Sequence, residues 1–125
     1  MIIDRHAKES GSAIPKYPVL FFKPITALAS GTARIHVCAF AQISPEIDYE
    51  CELVIVIGKQ GKNIPEEKAL DFVLGYAVGN DVSHRGWQLH RGASQWGIGK
   101  MFDGWATISG AIVSPMVRVA SSLFI

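Results

Sequence analysis

The chain has 125 residues, of which 49% are hydrophobic and 18% charged, and its formal net charge at pH 7 is +1. This length suits one ordinary domain, and the scattered, nearly balanced charge lacks the basic surface typical of nucleic-acid binding. No apolar stretch approaches the roughly 18 residues that cross a bilayer, and the first ten residues lack a secretory hydrophobic core. We therefore expect a cytoplasmic protein, with a mitochondrial location left open, and neither a nucleic-acid nor a membrane partner.

Residues 1–16 are polar and glycine-containing, and Pro15 would end any helix that begins there. We interpret this segment as a loop or a short helical lid. His6 and Glu9 lie three residues apart and would share one face of a helix. A carboxylate beside a histidine raises the basicity of the ring, which suits a general base acting on water. A chance polar pair near a terminus is the alternative that spacing alone leaves open.

The next segment, YPVLFFK at 17–23, is a short apolar run between prolines. This pattern predicts a buried or edge strand. Residues 25–45 are ambiguous, because the partial alternation of RIHVCAFAQI is weak and the Ser-Pro pair at 44–45 marks a turn.

The clearest strand is predicted at 47–57, where alternating residues give way to a continuous VIVI run. Pro65 and two following acids predict a short helix, and a strand is expected from Phe72. Ser83 is then expected to cap a helix that ends near Gly92, and strand character returns at 104–114. This order predicts an α+β domain dominated by a mixed sheet.

Three acidic residues border the apolar runs of the predicted strands. Glu50 and Glu52 are separated by one residue and therefore project from the same face of a strand, about 7 Å apart along the chain. Asp81 ends a second apolar run. Carboxylate oxygens suit hard cations such as Mg²⁺, Mn²⁺ or Ca²⁺, so these residues are candidate metal ligands. The alternatives are solvent-facing glutamates and a helix-capping aspartate.

Three further polar residues follow Asp81 in the chain, namely Arg85, Gln88 and Lys100. Arginine and lysine suit carboxylate groups, so these side chains could converge on an anionic ligand. Ordinary surface charge is the alternative for each of them.

Four motifs in order now carry a resemblance to a known family: HAKESGSAIPKYPVLFFKP, DYECELVIVIGK, GYAVGNDVSHRGWQ and QWGIGKMFDGWA. Together they closely resemble the fumarylacetoacetate hydrolase family, including its acylpyruvate hydrolase and oxaloacetate decarboxylase branches, over roughly residues 4–115. The resemblance implies a mixed β-roll or β-barrel of the fumarylacetoacetase C-terminal type. It also implies a divalent metal, usually Mg²⁺, and cleavage of a carbon–carbon bond in a β-diketo or 2-oxo acid.

By motif position the resemblance assigns a role to each candidate. Glu50, Glu52 and Asp81 match the family's metal ligands. His6 and Glu9 match the lid residues that activate water, and Lys100 matches the lysine of a Gly-Lys-Ser-Phe-Asp motif. Arg85 and Gln88 match polar residues of the substrate cavity. The resemblance thus implies a metal-stabilised enolate and a water-attacked carbonyl, or in the decarboxylase branch the same enolate without water.

We divide the chain into a lid segment at 1–16, a metal-site core at 17–115 and a divergent tail at 116–125, all within one domain that looks truncated at its C-terminus. A truncated β-roll would leave strand edges and apolar faces uncovered, so a homodimer or pairing with a full-length relative is expected. The alternative to an active hydrolase is a catalytically inactive fragment or pseudoenzyme.

Overall fold

Six short strands in two sheets organise the part of the chain that the computed structural model describes, which is residue 14 and residues 16–116. The strands are β1 (Leu28–Ser30), β2 (Ile47–Asp48), β3 (Cys51–Ile57), β4 (Val73–Asp81), β5 (Ser83–His84) and β6 (Ala106–Ile108). Helical segments connect them: 3₁₀ helices at Ile25–Ala27, Ala39–Ile43, Glu66–Phe72 and Trp96–Gly99, and a π-helix at Gly86–Arg91.

The larger sheet has the order β1-β6-β4-β3 and is mixed. β1 runs parallel to β6, whereas β6 with β4 and β4 with β3 are antiparallel. The smaller sheet pairs β2 with β5, placing Ile47 opposite His84 and Asp48 opposite Ser83. The predicted architecture, mostly β with a mixed sheet, is confirmed, and residues 16–116 form no closed barrel.

The β3–β4 ladder forms because β-branched residues of β3 lie opposite small residues of β4. Val54 pairs with Ala77 and Val56 with Gly75, while Glu52 pairs with Gly79. Small residues on β4 leave room for the β3 side chains on the shared face; a Cβ at position 79 would lie only 2.6 Å from Val54 Cγ2. The same face continues toward Glu50 and Asp81 at the end of the ladder.

A small core lies directly behind that end of the ladder. Val82 and Trp105 are 2% and 0% exposed and pack with the buried Ala41. The Trp105 ring lies 4.5 Å from that of Phe102, and its indole N–H donates to the carbonyl of His36 at 2.9 Å. The polar residues that flank Val82 are therefore held on a rigid base.

Several predicted elements differ in the structure. Residues 17–23 form no strand, so that prediction is wrong. The strand predicted at 47–57 is interrupted at 49–50, because β2 pairs with β5 whereas β3 pairs with β4. Ser83 does not cap a helix; it lies in β5, and the π-helix begins at Gly86. The helix after Pro65 and the strand that follows Phe72 are confirmed, as is the end near Gly92 of the later helical segment.

Candidate active site

The junction between the two sheets brings acidic side chains together. Asp48 ends β2, Asp81 ends β4, and Glu50 lies in the break between β2 and β3. The Asp81 N–H donates to the Glu50 carbonyl at 2.9 Å, and the Glu50 N–H donates to Asn80 Oδ1 at 3.2 Å. These two hydrogen bonds, one to the main chain and one to the Asn80 side chain, fix Glu50 beside Asp81, so the two acids predicted from separate strands do meet.

Lys100 forms ion pairs with both of these acids. Its side chain is 1% exposed, and it follows the 3₁₀ helix Trp96–Gly99. Its Nζ lies 3.1 Å from Glu50 Oε1, 2.7 Å from Asp81 Oδ2 and 2.6 Å from Ser83 Oγ. Burying an unpaired ammonium normally costs several kcal/mol, and here three oxygens accept hydrogen bonds from it. Lys100, a candidate from the sequence, thus lies among these acids.

Lys23 is a further cation at these acids, one that the sequence did not indicate. Its Nζ forms an ion pair with Asp81 Oδ1 and donates to the carbonyls of Val82 at 3.0 Å and Trp105 at 2.7 Å. Burial lowers the pKa of the Lys23 ammonium, and the neighbouring Asp81 carboxylate only partly offsets that effect. The contacts join residues 59 and 82 positions apart.

Arg85 supplies a third cation at the rim of the cluster. Its guanidinium donates twice to Asp48 Oδ2, at 2.8 and 3.0 Å, once to Gln88 Oε1 at 2.8 Å, and lies 2.6 Å from Glu50 Oε1. Burial disfavours the charged form of Arg85, but the Asp48 and Glu50 carboxylates outweigh this effect and raise the pKa of Arg85 above its ordinary value. The hydrogen bond from Arg85 in turn lowers the pKa of Asp48.

The charges of the cluster balance within the described residues. Three carboxylates, those of Asp48, Glu50 and Asp81, face three cations, those of Lys23, Lys100 and Arg85. Balanced charge explains how so many ionised groups share a largely buried corner.

Gly99 sets the distance between Gln88 and the chain that carries Lys100. Gln88 is 2% exposed on the π-helix. A Cβ at position 99 would lie 2.6 Å from the Gln88 backbone N, 2.7 Å from its Cβ and 2.7 Å from the His84 carbonyl oxygen. No side chain fits at this contact without moving the backbone.

A clamp of three residues holds the π-helix against the strand β2. Arg91 Nη1 donates to Glu46 Oε2 at 2.6 Å and to Ser44 Oγ at 3.0 Å, and the Ser44 hydroxyl also bonds Glu46. The hydrogen bonds from Ser44 and Arg91 lower the pKa of Glu46. A Cβ at Gly86 would lie 2.1 Å from both Arg91 Nη1 and Glu46 Oε2, so glycine there leaves space for the ion pair.

The predicted metal ligands are only partly assembled. Glu50 and Asp81 meet at Lys100, and Glu52 lies on the same face two residues further along β3. Residues 16–116 contain no group of three or more His, Cys, Asp or Glu side chains that could hold a metal ion. His6 and Glu9 fall outside the described residues, as do most of the segment 1–16 and all but Met116 of the tail 116–125. Their roles stay predictions.

Within the described part of the chain, no helix is both long and apolar enough to cross a bilayer.

Comparison with known proteins identifies the sequence pattern over almost the whole chain. Residues 3–121 match the family model described as fumarylacetoacetate (FAA) hydrolase, C-terminal. The fumarylacetoacetate hydrolase domain-containing protein 2 homolog of Dictyostelium discoideum is 50% identical over 93% of this chain and 37% of its own length.

Two relatives carry names that state an activity. Caffeoylpyruvate hydrolase of Neonothopanus nambi is 48% identical over 78% of this chain and 34% of its own length. The mitochondrial oxaloacetate tautomerase fahd2 of Xenopus laevis is 40% identical over 87% of this chain and 33% of its own length. The chain therefore spans about a third of the length of each of these three relatives.

The fold has solved counterparts as well. The crystal structure of 5-carboxymethyl-2-hydroxymuconate delta-isomerase from Mycobacterium smegmatis superposes with a TM-score of 0.73 and 38% identity, over 90% of this chain and 43% of that one. The mixed sheet and the corner that holds the charged cluster thus belong to an architecture with enzymes among its members.

Proposed function

The chain belongs to the fumarylacetoacetate hydrolase family, and from this premise we propose that it carries the core of an enzyme that hydrolyses a carbon–carbon bond in an acylpyruvate-type 2-oxo acid. The observation that carries the proposal is the buried cluster of Glu50, Asp81 and Lys100, bordered by Arg85. Charged groups buried at a sheet junction cost stability, so their presence together supports a chemical role.

We propose that Glu50, Glu52 and Asp81 would hold a divalent cation, Mg²⁺ or alternatively Mn²⁺ or Ca²⁺. The chemistry of the set fits, because all three offer carboxylate oxygens from one face of the β3–β4 ladder, and two of them already share a cationic partner. Such a cation, when bound, supplies Lewis-acid polarisation of a 2-oxo acid.

The protein's own cations have separate roles in this proposal. Lys100 Nζ stands beside Glu50 and Asp81 and would stabilise negative charge that develops on a carbonyl oxygen during cleavage. Arg85 and Gln88, already hydrogen-bonded to each other, would orient the substrate carboxylate at the rim. The 2-oxo acid would thus lie between one buried and one partly exposed cation.

His6 and Glu9 would supply the water-activating base. A histidine hydrogen-bonded to a carboxylate takes a proton from water at Nε2 or Nδ1 and presents hydroxide to the distal carbonyl. This assignment follows from the matched motif and concerns residues outside the described range.

A direct test measures loss of the enol absorbance of a small acylpyruvate by the purified chain, with Mg²⁺ or with a chelator. We expect metal-dependent loss in the wild type and a reduction of at least about 100-fold in Lys100→Met, as is typical when a group that stabilises developing charge is removed. Lys62→Met, an exposed lysine outside the cluster, is the matched control. The absence of activity beside an active full-length relative would support the inactive-fragment alternative.

The cation assignment has its own measurement. Calorimetric titration of Mg²⁺ into the wild type and Glu50→Ala should show binding only in the wild type, because a carboxylate ligand is lost. Equal binding by the two proteins would refute the assignment.

A second candidate function is supported by the relative named oxaloacetate tautomerase. Decarboxylation or tautomerisation of an oxaloacetate-type acid needs the same electron sink but no attacking water. His6→Asn separates the two: it should abolish hydrolysis of an acylpyruvate, whereas turnover of oxaloacetate that survived this substitution would favour the second function.

A further inference from the structure

We propose that Lys23 is a positioning residue that fixes the carboxylate of Asp81 and leaves a single oxygen of that carboxylate for the chemistry of the site. The role of Asp81 as a cation ligand rests on the proposed function, whereas the contact between Lys23 and Asp81 does not. Lys23 lies in the first of the matched motifs, but none of the roles given above is assigned to it.

The ammonium of Lys23 is held by two main-chain hydrogen bonds and one ion pair. An ammonium has three N–H donors, and here three oxygens surround it: Asp81 Oδ1, the Val82 carbonyl at 3.0 Å and the Trp105 carbonyl at 2.7 Å. The two carbonyls belong to core residues that are 2% and 0% exposed. Because the main chain anchors the ammonium, Lys23 would have to give up all three partners to reach a substrate.

The two oxygens of Asp81 are thereby assigned to different partners. Oδ1 faces Lys23, and Oδ2 receives a hydrogen bond from Lys100 at 2.7 Å. The Asp81 side chain is 16% exposed, so little water can take the place of either lysine. Rotation of the carboxylate would break both contacts, and Oδ2 is the oxygen that stays directed toward Glu50 and Lys100.

A positioning role and a simple charge-balancing role predict opposite changes in Mg²⁺ affinity when Lys23 is removed. If Lys23 only balanced charge, its removal would leave the site more negative and would strengthen Mg²⁺ binding. If Lys23 orients Asp81, its removal frees the carboxylate to rotate and weakens binding, as happens when an outer partner of a metal ligand is removed.

The experiment compares Mg²⁺ binding by calorimetry in the full chain and its variants. We expect Lys23→Met to weaken binding about 10-fold, the low end of such effects. Lys23→Arg keeps the charge but spreads its donors in a plane, so it should recover only part of the loss. Lys59→Met, at an exposed position, is the control and should bind as the wild type does. Unchanged or tighter binding by Lys23→Met would overturn the proposal.

A second measurement needs no cation and keeps the proposal testable if the wild type binds no Mg²⁺, a result that would count against the proposed function alone. Urea unfolding of Lys23→Met, Asp81→Asn and the double variant forms a cycle. We expect the midpoint shift of the double variant to be clearly smaller than the sum of the single shifts. Additive shifts would show that Lys23 does not hold Asp81. If Lys23→Met fails to fold, Lys23→Gln enters the same cycle.

Discussion

The β3–β4 ladder encloses charged side chains at one end and exposes aliphatic side chains on one face of β3. At one end, Glu50 and Asp81 are 22% and 16% exposed and are enclosed by cationic partners. On the opposite, open face of β3, Leu53, Ile55 and Ile57 are 68%, 53% and 62% exposed. The usual distribution, with aliphatic groups inside and charges outside, is reversed along a single pair of strands.

The charged end is held together by specific polar contacts. Its carboxylates share the donors of four residues, Lys23, Ser83, Arg85 and Lys100, so each group depends on the exact place of another. The aliphatic side chains on the open face of β3 have few neighbours among the described residues. Substitutions at the charged end should therefore lower the free energy of unfolding strongly, whereas those on the open face should change it little.

The strongest test of this difference is Gly99→Ala. The added Cβ would meet the backbone of Gln88 and of His84 at under 3 Å, so the chain that carries Lys100 must move. We expect a loss of about 3 kcal/mol in the free energy of unfolding, measured in urea. Gly110→Ala is the control, because no atom lies within 4 Å of its added Cβ. Equal stability of the two variants would show that the contact at Gly99 is looser than described.

Lys100→Met should have the next largest effect. It removes the ammonium that joins Glu50, Asp81 and Ser83 and leaves two carboxylates with one cation fewer. Removing one partner of a buried pair costs 3–5 kcal/mol, and because Lys23 and Arg85 remain we expect about 2 kcal/mol. Chemical denaturation measures this, with Lys62→Met as the exposed control. A more stable variant would mean that burying the charges costs more than their pairing returns.

Part of this charged end could be predicted from the sequence. Glu50 and Asp81 stand at the ends of apolar runs, and strand ends are where a sheet presents polar side chains, so their meeting was predictable in outline. Lys100 came from its motif. The strand at 73–81 was predictable for a similar local reason, because an apolar, glycine-spaced run follows the helix.

Lys23 and Ser83 show what local pattern could not reveal. Lys23 ends an apolar run that looks like a strand, and its partners lie 59 and 82 residues away. Ser83 precedes a helical segment and therefore looks like a cap, but pairing of β2 with β5 draws it into a sheet and directs its hydroxyl to Lys100. Long-range pairing overrides local preference at both positions.

On the open face of the ladder, Leu53→Ala should change little. Leu53 is 68% exposed, so truncation loses only a small buried area, and we expect about 0.5 kcal/mol by urea unfolding. The matched substitution in the core is Val82→Ala, at a residue 2% exposed, with an expected loss of about 2 kcal/mol. A loss at Leu53 as large as that at Val82 would show that the open face is covered in solution. It would also remove the contrast between the charged end and the open face.

The smallest expected effect concerns the exposed edge of the charged end, where Ser44 and Arg91 hold Glu46. Hydrogen bonds from Ser44 and then from Arg91 lower the pKa of Glu46 below its ordinary value of 4.5. A carboxyl whose pKa is lower in the folded state stabilises that state above the ordinary pKa, and loses this contribution as pH falls through the folded value. The stability difference between wild type and Ser44→Ala should therefore be present at pH 7 and shrink below pH 4.5.

Carbon-detected NMR titration of the Glu46 carboxyl checks the cause directly. Its pKa should rise toward the ordinary value in Ser44→Ala and in Arg91→Met, because the Ser44 hydrogen bond and the hydrogen bond and charge of Arg91 all lower it. A pKa unchanged in both variants would show that the clamp is open in solution. The cluster around Glu50 and Asp81 would then have to keep its geometry without an outer support, and the contrast with the open face would rest on Lys23, Lys100 and Arg85 alone.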